Sequence, residues 1–284
     1  MPKVLVTGAS GFIGRALTKA LVGQSDEVIG LGSRDGDIAE PDTLKPYAGV
    51  DFYRVFHLAA RTFVPDSWKD PLAFYRTNVL GTANVLEFCR ARGVPLTFVS
   101  AYIYGQPEKL PIGEDSPIRP NNPYAQSKYL AEQLCQFFVE EFYSRITIVR
   151  PFNVYGKGQA LKFLIPSIIE QAERAPVIKV KDLAPKRDSI YIDDLVRALI
   201  LALPREKEMA IYNIGSGLSV SVRETIETVQ AVLGTHKAVV EEREARKNEI
   251  QDVRADISRA VNKLDWSPHY SLYDGIKEMV STHG

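Results

Sequence analysis

The N-terminal stretch constrains this chain more than any other. Lys3–Thr7 is a short apolar, β-branched run that reads as a buried strand. Gly8, Gly11 and Gly14 follow at three-residue spacing. Helical periodicity starts at once, with Phe12, Ile13, Ala16, Leu17, Ala20 and Leu21 on one face. A strand that passes through a glycine turn into a helix has a physical use. The glycines let backbone approach a pyrophosphate, and the free N–H groups at the helix start bind its charge. Glycines also serve purely structural turns. The placement of these three, between a strand and an amphipathic helix, points to a binding loop.

Downstream, strands are expected at 27–31, 54–58, 96–100 and 146–149, and helices at 71–92 and 124–143. The segment 107–123 carries prolines at 111, 117, 120 and 123 and reads as loop. Strands alternating with helices at this length specify an α/β fold, a doubly wound parallel sheet with right-handed crossovers. The second half is less regular. Helices are expected at 163–174, 193–203, 222–233, 256–264 and 272–280, with Ser219 or Ser221 as a cap. Strands are expected at 177–180 and 211–214, and 241–247 is a charge-dense stretch.

Composition narrows the partners. Lys+Arg and Asp+Glu are both 35 among 284 residues, so the net charge is zero and nothing points to nucleic acid. No apolar run approaches the roughly 18 residues of a membrane span, and no signal-peptide pattern opens the chain. Cys89 and Cys135 stand alone, and His236, His269 and His283 show no metal-ligand spacing. Neither disulfide nor metal is expected, and a cytoplasmic location fits.

Tyr124 and Lys128 lie four apart at the start of a helix and share a face. An ammonium there is expected to stabilise phenolate and draw the tyrosine pKa toward neutrality, and it can also hold a ribose hydroxyl. Ser100 ends a strand, where α/β sheets place ligands, and its hydroxyl can bond a substrate oxygen beside the tyrosine. His57 reads as a hydrogen-bonded core histidine rather than an acid or base.

These stretches, with His57-Leu58-Ala59-Ala60, Asn78-Val79-Leu80-Gly81-Thr82, Pro123 to Lys128, Arg150 to Gly156, 187–194, 212–217 and 255–260, resemble the extended short-chain dehydrogenase/reductases. That family includes nucleotide-sugar epimerases, dehydratases and reductases. The resemblance implies a Rossmann-type dinucleotide-binding domain at 1–154 with 187–212. A smaller interleaved C-terminal α/β substrate domain would occupy 155–186 with 213–284. Ser100, Tyr124 and Lys128 become the catalytic set. Gly8, Ser10, Gly11, Phe12, Ile13, Gly14, Asp37, Ile38, Leu58, Ala59 and Ala60 would bind the cofactor, together with Tyr124 and Lys128. Pro151, Asn153 and Val154 would line its nicotinamide end. Val64, Ser67, Tyr102, Asn153, Arg187 and Arg246 are the candidates for a nucleotide-diphosphate sugar, the two arginines at its diphosphate. A loop salt bridge is the plainer use of Arg187, and a solvated surface that of Arg246. The resemblance also implies a homodimer paired through helices 71–92 and 124–143, with Phe74, Leu86, Phe88, Leu130, Leu134, Phe137 and Phe138 supplying apolar surface.

Departures select among activities. The family's dehydratases carry an Asp-Glu pair after the catalytic Ser/Thr; here Ala101 and Tyr102 stand there, which disfavours dehydration. The short connection after the second strand looks like the GDP-fucose synthase and 4-keto-sugar reductase branch. The Cys and His that such synthases use for C3/C5 epimerisation align with Tyr102 and Phe163. What remains is oxidation or reduction at one carbinol carbon, expected at C4: a 4-keto-sugar reductase, with a C4-epimerase as the alternative. A non-catalytic dinucleotide-binding regulator would keep the glycines and lose Ser100, Tyr124 and Lys128. The usual acidic position for NAD after the second strand is empty, and Ser33 and Arg34 stand beside it, with Arg15 near. NADP is therefore the expected cofactor, with NAD through Asp35 as the rival.

Overall fold

In the computed structural model, residues 3–24, 26–204, 209–242 and 249–281 are described. Val4, Leu5 and Val6 are wholly buried in β1 (Lys3–Thr7), as an uninterrupted apolar run in a covered parallel sheet requires. The chain continues through α1 (Phe12–Gly23), β2 (Glu27–Leu31), a 3₁₀ segment (Pro41–Tyr47) and β3 (Arg54–His57). Then come α2 (Val64–Lys69), α3 (Pro71–Tyr75), a π-turn (Arg76–Leu80) and α4 (Gly81–Arg90). β4 (Leu96–Val99), α5 (Pro123–Phe142) and β5 (Ile146–Pro151) complete the first part of the chain. α5 starts where Asn122 accepts from Ala125 N (2.9 Å) with Pro123 in the first turn, and it stops at Tyr143 in a left-handed conformation.

The second half holds β6 (Asn153–Tyr155), α6 (Leu164–Arg174), β7 (Val177–Val180), β8 (Lys186–Arg187), β9 (Ser189–Tyr191), α7 (Ile192–Leu201) and β10 (Ala210–Ile214). It ends with β11 (Val220–Ser221), α8 (Val222–Leu233), β12 (Ala238–Glu241), α9 (Ser258–Leu264) and α10 (Leu272–Val280). Ser221, not Ser219, caps α8, in a reciprocal box with Glu224.

The main sheet has the order β10-β5-β4-β3-β1-β2, and β2, β1, β3, β4 and β5 run parallel. The order reverses between β1 and β3, so a switch point opens at the carboxyl ends of these strands. Leu5, Val55, Leu96, Phe98, Ile146 and Ile148 form its core with Val85, Leu86 and Phe88 of α4 and Ala131 and Cys135 of α5.

Two units divide the chain. The first is Met1–Gly105, Pro117–Arg150 and Ala198–Tyr212; the second is Gln106–Ser116, Pro151–Arg197 and Asn213–Gly284. Residues 151–154, 187–197 and 106–116 thus differ from the expected division. The cause is non-local pairing. β6 pairs with β9 and β8 with β11, and Ile112 bridges to Ala255. Asp188, fully buried, accepts from Ser216 N and Oγ, Gly217 N and Ala255 N at 2.6–3.0 Å. Asp194, also buried, accepts from Arg197 and from the backbone N–H groups of His269 and Tyr270.

Candidate active site

The turn between β1 and α1 is built by close approach. Gly8 has φ +73°, and a Cβ on it would lie 2.6 Å from Ala59 N; a Cβ on Gly14 would lie 2.1 Å from Gly8 O. Gly11 N donates to Gly8 O (2.9 Å) and Ala9 N to Leu31 O (3.0 Å), closing the turn over the sheet edge. α1 begins at Gly11 with no side-chain cap and no acidic residue in its first turn. Its leading N–H groups therefore remain available to an anion. Ser10 and Gly11 are exposed, and Phe12 and Ile13 are half-buried.

The strand register aligns the carboxyl ends: Thr7 pairs with Leu31 and with His57, and His57 with Phe98. Gly8, Gly32, Leu58 and Ser100 accordingly follow one another along a single edge. Leu58, Ala59 and Ala60 are partly exposed there. Ser33 and Arg34 are exposed in the turn after β2. Asp35 folds back, its carboxylate accepting from Gly32 N (2.7 Å). Asp37 accepts from Ala39 N and pairs with Arg76 (2.8 Å), which also holds Glu40. Ile38 is buried against Gly81.

Ser100 is buried, and its Oγ has no hydrogen-bond partner. A buried orphan hydroxyl at a sheet edge is what a ligand oxygen would satisfy. Lys128 is buried; its Nζ donates to Val99 O (2.6 Å), next to Ser100, and lies 4.1 Å over the Phe98 ring. Burial draws its pKa down to about 7, against the opposing pull of the Glu132 carboxylate one turn on. Glu132 itself is gripped by the Arg150 fork (2.6 and 3.0 Å), which also donates to Tyr104 OH. Tyr124 keeps some solvent access and packs edge-on against Phe74. Burial pushes its phenol above the ordinary tyrosine value, and the expected lowering by Lys128 does not occur in the protein alone. The Lys128 ammonium is directed at the Val99 carbonyl oxygen.

A buried network behind these groups had little sequence signal beyond the quoted motif. Thr82 Oγ1 donates to Asn78 O (2.6 Å) and sits 3.0 Å from His57 Nε2; Thr7 Oγ1 lies 2.6 Å from His57 Nδ1. Thr82 therefore accepts from Nε2–H and Thr7 donates to Nδ1, which assigns a neutral histidine. Burial lowers its pKa to about 3, with Lys128 adding to the effect. Asn78 Nδ2 donates to Ser127 Oγ (2.8 Å) and Arg61 O, and Asn78 Oδ1 accepts from Arg61 N. The π-turn that carries Asn78 thus ties the loop after β3 to the first turn of α5.

Other candidates are placed as follows. Ser67 is buried in α2, its hydroxyl donating to Val64 O (2.7 Å). Tyr102 OH donates to Gly105 O. In the second unit Pro151 is buried, Val154 lies in β6, and exposed Asn153 donates both N and Nδ2 to Asp188 O. Arg187 is in an ion pair with Glu249 and donates to Ile250 O, so a diphosphate would have to draw it from that partner. Arg246 lies outside the described residues. Among the described residues, no group of three or more His, Cys, Asp or Glu could hold a metal.

The sheet order and the glycine cradle are those of a Rossmann-type dinucleotide-binding fold. The chain belongs to the NAD dependent epimerase/dehydratase family, whose model matches residues 4–215. A GDP-6-deoxy-D-mannose reductase of Pseudomonas aeruginosa is 32% identical, covering 98% of this chain and 96% of its own. Among solved structures, a UDP-glucose 4-epimerase from Thermotoga maritima, with UDP-glucose, has TM-score 0.91 at 28% identity, covering 98% and 97%. RMD from Pseudomonas aeruginosa, complexed with NADPH, has TM-score 0.88 at 31% identity, covering 99% and 98%.

Proposed function

We propose that the protein is a cytoplasmic NADPH-dependent reductase of a nucleotide-diphospho 4-keto sugar, working as a homodimer. The observation that carries the reading is the orphaned Ser100 hydroxyl, one residue past the Val99 carbonyl that Lys128 holds, with Ala101 and Tyr102 where dehydration would need carboxylates. The glycine cradle and the uncapped start of α1 fit a dinucleotide pyrophosphate. When bound, the reduced nicotinamide supplies a hydride to the sugar C4. Tyr124, held protonated by burial, gives its proton to the carbonyl oxygen that becomes O4. Ser100 donates a hydrogen bond to the same oxygen, which stabilises the charge developing there. Lys128 carries the compensating positive charge one helical turn away.

NADPH is favoured over NADH at the end of β2. Ser33 and Arg34 are free to meet a 2′-phosphate, while the Asp35 carboxylate is turned onto Gly32 N. Two relatives support this choice, since the 32%-identical protein is a reductase and RMD was solved with NADPH, whereas other solved neighbours hold NAD. The 4-keto form of the GDP-6-deoxy-D-mannose in that reductase's name is the first substrate to try on this chain. Oxidation of NADPH in step with loss of the ketone, and weaker turnover with NADH, is the expected result.

The second reading is a C4-epimerase, favoured by the 0.91 TM-score to a UDP-glucose 4-epimerase. Interconversion of UDP-glucose and UDP-galactose with no net cofactor consumption would replace the first reading with this one.

A further inference from the structure

We propose that a concavity around Arg254, in the second unit, binds a small organic monocarboxylate. Its volume is about 460 Å³, and it opens to solvent between Pro111, Gly217 and the segment 254–262. Its walls are held by backbone pairing. Ile112 N donates to Arg254 O and Asp256 N to Ile112 O, both at 2.8 Å. Beneath them, buried Asp188 gathers the N–H groups of Ser216, Gly217 and Ala255. The walls of the concavity are therefore tied to one another by hydrogen bonds.

Arg254 is the anomaly. It is more than half buried, its Nε is fully buried, and among the described residues nothing accepts from that Nε–H. Two other partly buried arginines of this unit are paired: Arg187 with Glu249, and Arg259 with Asp115 (2.6 Å) and Glu114 (3.5 Å). A guanidinium taken from water needs acceptors, and a planar carboxylate can take two parallel N–H bonds from one. The nearby carboxylate of Asp256 does not serve; its Oδ1 accepts from Ser258 N (2.9 Å) and Oγ (2.5 Å).

The same surroundings select the class of anion. Hydrogen bonds from Ser258 hold Asp256 below the usual carboxylate range, so it stays charged. A phosphate dianion in this space would face that charge; a monoanion meets less of it. Pro111, Ile257 and Val261 offer apolar surface to a carbon body, which a free inorganic ion would not use. None of these residues belongs to the Ser100–Tyr124–Lys128 set, so the site stands or falls apart from the catalytic reading.

Benzoate, benzamide and inorganic phosphate serve as probes, titrated against the full chain with NADPH present. Binding is read by calorimetry and by the ¹⁵N resonance of the Arg254 side chain. Saturable benzoate binding that moves this resonance is expected, with benzamide and phosphate both weaker. Arg254→Gln should weaken benzoate about ten-fold or more, the loss of a charge-assisted pair. Val261→Asp, at an exposed position on the rim, should weaken it too and covers the case in which Arg254→Gln fails to fold. No saturable benzoate binding, equal binding of benzamide, tighter binding of phosphate, or undiminished benzoate affinity in the folded variants would each overturn the assignment.

Discussion

Tyr124 and His57 show how burial sets protonation at this sheet edge. Tyr124 is kept as a phenol, the form that gives a proton to a ketone oxygen. Tyr124→Phe should leave cofactor affinity intact in a titration and lower turnover by about 10²–10⁴-fold; near-normal turnover would remove the tyrosine from the mechanism. His57 carries a different consequence. Its pKa is about 3 in the folded protein against 6.5 when exposed. Between those values the unfolded chain binds the proton and the native one does not, so stability falls as pH drops from about 6.5 toward about 3. The neutral variant His57→Gln should lose less stability across that window than the wild type, by a few kcal/mol. Urea midpoints at both ends of the window measure it, and parallel pH profiles for the two proteins would contradict it.

At the scale of elements, the β1–turn–α1 unit is the tightest fit in the described chain that bears on cofactor. A Cβ on Gly14 would sit 2.1 Å from Gly8 O and 2.8 Å from Ala9 Cα, so Gly14→Ala must push the turn away from the helix. The expected stability cost is about 1–3 kcal/mol. The larger effect should be on NADPH binding by calorimetry, with helix content by circular dichroism unchanged. Unchanged affinity would mean that the turn does not set the pyrophosphate site. This unit was legible in sequence because strand, turn and helix follow one another locally, and so were α5 and α8, whose caps and periodicity are local too. The expected 71–92 helix runs on through residues 71–90, but the π-turn at Arg76–Leu80 inside it was not legible. One extra residue in a turn barely disturbs an apolar pattern, and its reason, the reach of Asn78 to Ser127 and Arg61, spans long separations. Likewise the fold-back of Asp35 and the pairing of Arg187 with Glu249 depend on side-chain direction, which spacing does not encode.

For the whole molecule the same distinction between local and non-local information applies to the unit borders and to the proposed dimer. Residues 106–116 and 187–197 join the second unit through pairings with 216–255 that no window of sequence contains. On the helices proposed to meet in a dimer, Phe74, Leu86 and Phe88 are taken by the first unit's own core, and Leu130, Leu134 and Phe138 are half-buried. The apolar groups left outside include Leu72 (76% exposed), Leu80 (48%), Phe137 (51%) and Phe142 (44%). Burying each is worth about 1.5–3 kcal/mol, and two-fold symmetry would count every one twice. That sum can offset the cost of association only if the residues share one interface. Light scattering should therefore give a dimer mass at micromolar concentration for the wild type and a monomer mass for Leu80→Glu/Phe137→Glu. Both side chains are exposed in the single chain, so the double variant should keep its fold by circular dichroism. A monomeric wild type, or a double variant that stays dimeric, would place the assembly surface elsewhere.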